Sequence, residues 1–198
     1  MASADTGDPW QQVGSETLLV TPYLEVRRDH VIRPDGQKAA YDFVWMQRGF
    51  VVIVPTRARQ ELLMIRQFRP SVRRESYEIP AGAMDEGETP EQAARRELRE
   101  ETGWDCHDMS VALTCHPLVG RSNVPCHVLH APEPTHVGPP TDPDEAQEVF
   151  WADQARFAEL WRGGQIHAGS SVIGMLLGLT LRWLAWDLPD ALGGGEDG

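Results

Sequence analysis

The stretch from Gly82 to Trp104, GAMDEGETPEQAARRELREETGW, places its acids where stability alone would not put them. Thr89, Pro90 and Gln92 predict a helix start: a capping hydroxyl, a proline suited to the first helical position, and the second half of a capping box. Good helix formers follow, and Gly103 supplies a stop. Positions three and four apart share a helix face, so Glu97, Glu100 and Glu101 should form one tight carboxylate cluster. Like charges so spaced cost an isolated helix roughly 0.2–0.5 kcal/mol per pair. The negative C-terminal end of the helix dipole adds to that penalty. Hard oxygen donors clustered beside a loop are what Mg2+ or Mn2+ binds, and a cation removes the repulsion. The competing reading is a solvated acidic face interleaved with Arg95, Arg96 and Arg99.

The flanking pattern separates the two. It runs Gly82, five residues, Glu88, seven residues, Arg96-Glu97-Leu98, one residue, Glu100-Glu101, one residue, Gly103 and the apolar Trp104. This resembles the signature of the Nudix hydrolases at every fixed position, with Trp104 standing where that family more often has an aliphatic residue. The resemblance implies an α/β (α+β) fold, a mixed β-sheet sandwiched between helices, with the signature forming a loop–helix–loop that holds metal. It implies Glu97 and Glu101 as principal ligands of Mg2+, for which Mn2+ can substitute, with Glu100 assisting directly or through water. The backbone carbonyl of Ala81 is a further implied ligand. Arg96 would orient a glutamate of the cluster, Glu88 would brace the helix from the loop, and Gly82 and Gly103 would allow the tight turns.

The likeness extends outward. Ile65–Gly82 (IRQFRPSVRRESYEIPAG) and Gly163–Leu179 (GGQIHAGSSVIGMLLGL) resemble the ADP-ribose pyrophosphatase branch. That branch implies attack by water on one phosphorus of a nucleoside diphosphate-sugar, ADP-ribose giving AMP and ribose 5-phosphate. By position, Arg69 would meet the substrate's diphosphate or terminal ribose, or else form a surface ion pair with Glu75 or Glu78. Ala81 and Gly82 would also meet substrate, and Arg121, in the loop VGRSNVP, either faces the cleft or is solvated. The implied base is a glutamate outside the signature, on a loop before a late strand. DPDEAQEVFW offers Glu145 at the loop end and Glu148 at the strand start, and Glu145 matches the place better; Glu100 is the alternative within the signature. The branch often carries an Arg-Glu pair just before its first buried strand. Tyr41–Met46 lacks one, which keeps other nucleotide sugars open, as are modified nucleoside triphosphates. A non-catalytic nucleotide-sensing module would be expected to have lost some of these glutamates. Trp45 could stack on a base or belong to a core or dimer interface, and His116, His127 and His130 have no metal spacing and read as structural.

These residues need a scaffold. The organisation expected is a disordered N-terminus (1–16), a β-hairpin with a turn at Pro34-Asp35-Gly36 (17–46), a Nudix hydrolase domain (47–187) and a flexible tail (188–198). Phe50–Pro55 and Glu61–Phe68 predict buried strands, and Ser110–Cys115, Cys126–Ala131 and Glu148–Ala152 predict further strands. Helices are predicted over Asp153–Arg162 and Ser170–Trp186, and a proline-rich loop over Pro132–Asp144. Two strands alone are marginal in water, and this hairpin carries Leu18, Leu19, Val20, Tyr23, Leu24, Phe43 and Trp45. The branch resembled uses such a hairpin to dimerise, so a homodimer is expected, with Arg27 or Arg28 a candidate to reach the neighbour's substrate. A charge of −12 over 198 residues opposes binding to nucleic acid or an anionic membrane, and no apolar run is long enough to span a bilayer. Cys106, Cys115 and Cys126 form no CxxC pair and read as reduced thiols, and MASADTGDPW lacks the features of a signal peptide; both fit a cytoplasmic protein.

Overall fold

The computed structural model describes residues 9–141 and 146–187. The tail 188–198, the first eight residues of the expected disordered N-terminus and Glu145 lie outside the described residues. The chain divides into two units, residues 1–47 with 118–124, and residues 48–117 with 125–198.

In the first unit, three antiparallel strands lie side by side in chain order: β1 (Gln11–Val20), β2 (Glu25–Ile32) and β3 (Lys38–Trp45). The expected two-strand hairpin is therefore a three-strand meander. The expected disorder before residue 17 is corrected too: the segment from Gln11 pairs with β2, from Gln11↔Ile32 through Glu16↔Arg28. The cause is a break in the apolar pattern at Thr21-Pro22. The Thr21 hydroxyl accepts the amides of Tyr23 and Leu24 and donates to the Leu24 carbonyl, which reverses the chain and runs β1 back along β2. The β2–β3 turn uses the predicted residues: Asp35 accepts the Gln37 amide, and Gly36 has φ 79°. Residues 118–124 join β3, where the Val44 amide donates to the Arg121 carbonyl and the Asn123 side chain bonds both the amide and the carbonyl of Met46.

The second unit contains β4 (Phe50–Arg57), β5 (Glu61–Arg69), β6 (Arg74–Glu78), β7 (Ala81–Ala83), α1 (Pro90–Thr102), β8 (Trp104–Asp105), β9 (Ser110–Cys115), β10 (Cys126–Pro132), β11 (Thr135–His136), β12 (Glu148–Ala152), α2 (Gln154–Arg162) and α3 (Gly169–Thr180). The main sheet runs β12-β5-β4-β10-β9, with β6 added to β5 and β7 to β4. β4 and β10 are parallel, and the other pairs are antiparallel. Alternation along β4 explains the layering. Val51 and Ile53 pack with Ala93, Ala94 and Leu98 of α1, whereas Val52 and Val54 pack with Phe157 and Leu160 of α2 and Met175 and Leu179 of α3. A strand covered on both faces reads as a continuous apolar run, which is how Phe50–Pro55 reads in the sequence.

Two local departures from expectation have tertiary causes. The last helix ends at Thr180, not Trp186: Arg182 adopts φ 58°, the Trp183 ring stacks on His130 at 4.3 Å, and the Trp186 indole donates to the Gln60 carbonyl. Docking two indoles outweighs two more turns of helix. The proline-rich loop contains β11, which pairs with β8 immediately after α1.

Candidate active site

The site grows from the two ends of α1. Thr89 accepts the Gln92 amide while the Gln92 side chain accepts the Thr89 amide, so the predicted capping box is formed. Gly103 ends the helix at φ 74°, and a Cβ there would lie 2.0 Å from the Gly138 carbonyl oxygen. Conformation and close approach both require glycine at that position. Beyond it, the Trp104 ring meets Trp151 and His136 edge to face, each at 5.2 Å, filling the place of the more usual aliphatic residue.

Between these ends the helix turns Ala93, Ala94, Glu97, Leu98, Glu101 and Thr102 inward. Two carboxylates are thus carried into a face that packs on the sheet. Glu101 is 2% exposed, and its Oε2 accepts the Ala81 amide at 3.0 Å. Glu97 lies directly against Gly82: a Cβ at Gly82 would sit about 2.0–2.2 Å from the Glu97 carboxylate carbon and both its oxygens. The missing side chain of Gly82 is therefore the cradle for Glu97. Glu100, one helical turn from Glu97 on the outer side, is far more exposed.

Arg96 ties the cluster to the preceding loop. Its Nη1 donates to Glu97 at 2.7 Å and to Glu100 at 3.0 Å; its Nε and Nη2 donate to the two oxygens of Glu88, each at 2.9 Å. Nη2 also donates to the Ala83 carbonyl at 2.8 Å, and Glu88 in turn accepts the Asp85 amide. Arg96 is held above its ordinary pKa, chiefly by the Glu88 hydrogen bonds, and Glu88 is held below the usual carboxylate range by Arg96 against an opposing desolvation. The expected cluster is thus bridged: one guanidinium nitrogen joins Glu97 and Glu100, and among the described residues no three His, Cys, Asp or Glu groups already converge as a metal site.

The remaining candidates fall into two groups. In the second unit, Arg69 takes the ion-pair geometry, donating through Nε and Nη2 to both oxygens of Glu78 at 3.0 and 2.6 Å, with its side chain 40% exposed. Glu78 is buried at 1% and also accepts from Gln67. Glu148 pairs with Arg66 at 3.1 Å, the residue opposite it on β5, and Arg66 also holds Glu75 at 2.9 Å. In the first unit, Arg28 forms a two-point pair with Asp42 at 2.7 and 2.8 Å. Arg121 lies 5.9 Å from the Tyr41 ring centroid; Asp42 is lowered chiefly by the Arg28 hydrogen bond, with Arg121 adding to it. Trp45 carries the Arg27 guanidinium over its ring at 4.2 Å and meets Phe43 edge to face. The sequence offered Glu78 only as one of two ion-pair partners for Arg69, and it did not single out Arg66 or the Ala83 carbonyl. A buried acid closing a polar hairpin strand was the available signal for Glu78; the other two depend on register and loop path.

A glycine-cradled glutamate, a second buried carboxylate on a strand amide and an arginine clasping the loop define the architecture of a Nudix box. Residues 45–169 match the model of the NUDIX domain and residues 10–44 that of the nucleoside diphosphate sugar hydrolase N-terminal domain, so the chain belongs to the Nudix hydrolase family. Among curated relatives, it is 33% identical to a CMP-5'-(N-acetyl-N-hydroxy-3-aminopropyl)phosphonate hydrolase of Streptomyces rubellomurinus, over 87% of this chain and 83% of the relative. It is 30% identical to an ADP-ribose pyrophosphatase of Mycobacterium tuberculosis, over 84% and 82%. An ADP-ribose pyrophosphatase of Bacillus subtilis is 28% identical over 61% of this chain and 65% of its own length. A solved ADP compounds hydrolase shares the fold with a TM-score of 0.78 at 19% identity, covering 88% of this chain and 94% of that one. No helix among the described residues is long and apolar enough to cross a membrane.

Proposed function

We propose that this Nudix hydrolase cleaves the pyrophosphate bond of ADP-ribose, giving AMP and ribose 5-phosphate. The observation that carries the chemistry is the pair of inward carboxylates, Glu97 cradled on Gly82 and Glu101 on the Ala81 amide. The substrate class is supported by the match of residues 10–44 to a nucleoside diphosphate sugar hydrolase module and by the two ADP-ribose pyrophosphatase relatives. Hard carboxylate oxygens beside a strand end suit Mg2+ or Mn2+, and Glu97, Glu100, Glu101 and the Ala81 carbonyl are the groups that would hold it. Such an ion would neutralise diphosphate charge and acidify the attacking water. Glu145 is the base: it takes a proton from water as the new phosphorus–oxygen bond forms and the bridging bond breaks. Arg96 and Glu88 keep the α1 carboxylates in place. Arg69, braced by Glu78, meets the diphosphate or terminal ribose, with Ala81 and Gly82 forming the floor. The cytoplasm suits this chemistry and the free thiols.

The Streptomyces relative favours a second reading, in which the substrate is a nucleoside monophosphate joined to a phosphonate. Turnover of ADP-ribose, other nucleotide sugars, a CMP-linked phosphonate and modified nucleoside triphosphates with Mg2+ separates these readings. ADP-ribose should have the highest kcat/KM. A preference for the phosphonate or a triphosphate overturns the assignment.

The first unit is proposed to make the protein a homodimer. Leu18, Leu19, Val20 and Tyr23 are 45%, 53%, 67% and 85% exposed, a large apolar display for one small sheet. Light scattering at micromolar concentration should return about twice the chain mass of 22.1 kDa. A mass equal to one chain rejects the dimer.

A further inference from the structure

Two of the three cysteines face each other. Cys115 ends β9 and Cys126 begins β10, and the antiparallel register sets them directly opposite. Directly opposed residues share a face of the sheet, with Cα atoms about 4.5–5.5 Å apart. A disulfide needs Cα atoms about 4.4–6.8 Å apart. The two thiols are close enough to act on each other, and both pack on the core beneath α2 and α3, Cys126 fully buried and Cys115 partly exposed. β9 is the outermost strand of its path, bonded to β10 on one side, so it can shift by the few tenths of an ångström that a covalent link asks. Cys106 stands apart in the other core cluster, its thiol donating to the Pro132 carbonyl.

From this opposition we infer that Cys115 and Cys126 are a reversible dithiol–disulfide couple that staples the root of the loop 116–125. The oxidant is a small disulfide such as glutathione disulfide. The more accessible Cys115 thiolate attacks one of its sulfurs, forming a mixed disulfide and releasing one glutathione thiolate. The Cys126 thiol gives its proton to solvent, and its sulfur attacks the Cys115 sulfur, expelling the second glutathione. The protein loses two electrons and two protons, and glutathione disulfide becomes two thiols. Burial holds the Cys126 thiol at about 12, which makes the second step the slow one. The link closes the loop whose Arg121 bonds Val44 of β3 and whose Asn123 bonds Met46, the residue after that strand.

The full chain, reduced and then brought to equilibrium with excess glutathione disulfide at mildly alkaline pH, should lose the mass of two hydrogens. It should regain them with dithiothreitol. Non-reducing peptide mapping should join the Cys115 and Cys126 peptides, and Cys106→Ser should leave that link intact. Cys126→Ser should stop at a stable glutathione adduct on Cys115. Should that core variant fail to fold, Cys115→Ser carries the test, because it must abolish the link. A stable Cys115 adduct in the unsubstituted protein at equilibrium, or a link involving Cys106, overturns the couple.

Discussion

Glu101→Gln should remove most turnover while leaving the fold in place. Glu101 is almost wholly buried, and the Ala81 amide is a neutral partner that a glutamine oxygen can also serve. The substitution keeps volume and one hydrogen bond and removes one negative charge. Charge stabilisation by a catalytic cation is worth several kcal/mol, so losing a ligand should lower kcat by roughly 10²–10⁴-fold. Thermal denaturation distinguishes this from a damaged fold. In the unsubstituted protein, Mg2+ at about 100 times its Kd should add about 2.7 kcal/mol, or roughly 5–10 °C for a domain of this size. The variant should still unfold in one cooperative transition and should show little response to Mg2+. Full activity in excess EDTA, or unchanged turnover in the variant, would remove the metal from the reaction.

The site was legible in the sequence wherever a constraint is local. Helix periodicity puts Glu97 and Glu101 on one face, the capping residues mark Thr89, and the need for a positive φ marks Gly103; each has its counterpart in the structure. The double burial of β4 was equally readable, because a run of apolar residues leaves no polar face to expose. Features set by pairing at a distance were not. The Glu148–Arg66 pair, and the choice of Glu78 over Glu75 as the partner of Arg69, depend on the register of β5 with β12 and β6. The return of β1 along β2 depends on one threonine turn, which the strand pattern ran through. The end of α3 depends on where Trp183 and Trp186 dock, and propensity alone would have continued the helix. The bridging of Glu97 and Glu100 by Arg96 shows the same limit: spacing brings the three side chains near, and only coordinates say which atoms meet.

Glu145→Gln should lower kcat by about 10²–10⁴-fold, the usual contribution of a general base, with a much smaller change in KM. Glu145 lies outside the described residues, and its neighbour Glu148 supplies the contrast. Glu148 is the other glutamate of this segment, and it is committed: β12 sets it opposite Arg66, whose Nε donates to it at 3.1 Å while the Gln147 amide bonds the Arg66 carbonyl. A carboxylate fixed in an ion pair offers fewer open lone pairs to a water proton, because the guanidinium already engages them. Arg66 already holds Glu75 as well, so Glu148→Gln exchanges one of two partners for a neutral acceptor and should cost little turnover. The two variants therefore separate cleanly under saturating substrate and metal. A pH–rate profile adds a readout that misfolding would not mimic: loss of the base should remove the acidic limb of kcat, whereas Glu148→Gln should leave the limb where it was. A large kcat loss in Glu148→Gln with near-normal Glu145→Gln would transfer the base to Glu148; near-normal kcat in both would place it in the signature, with Glu100 the exposed carboxylate to test next.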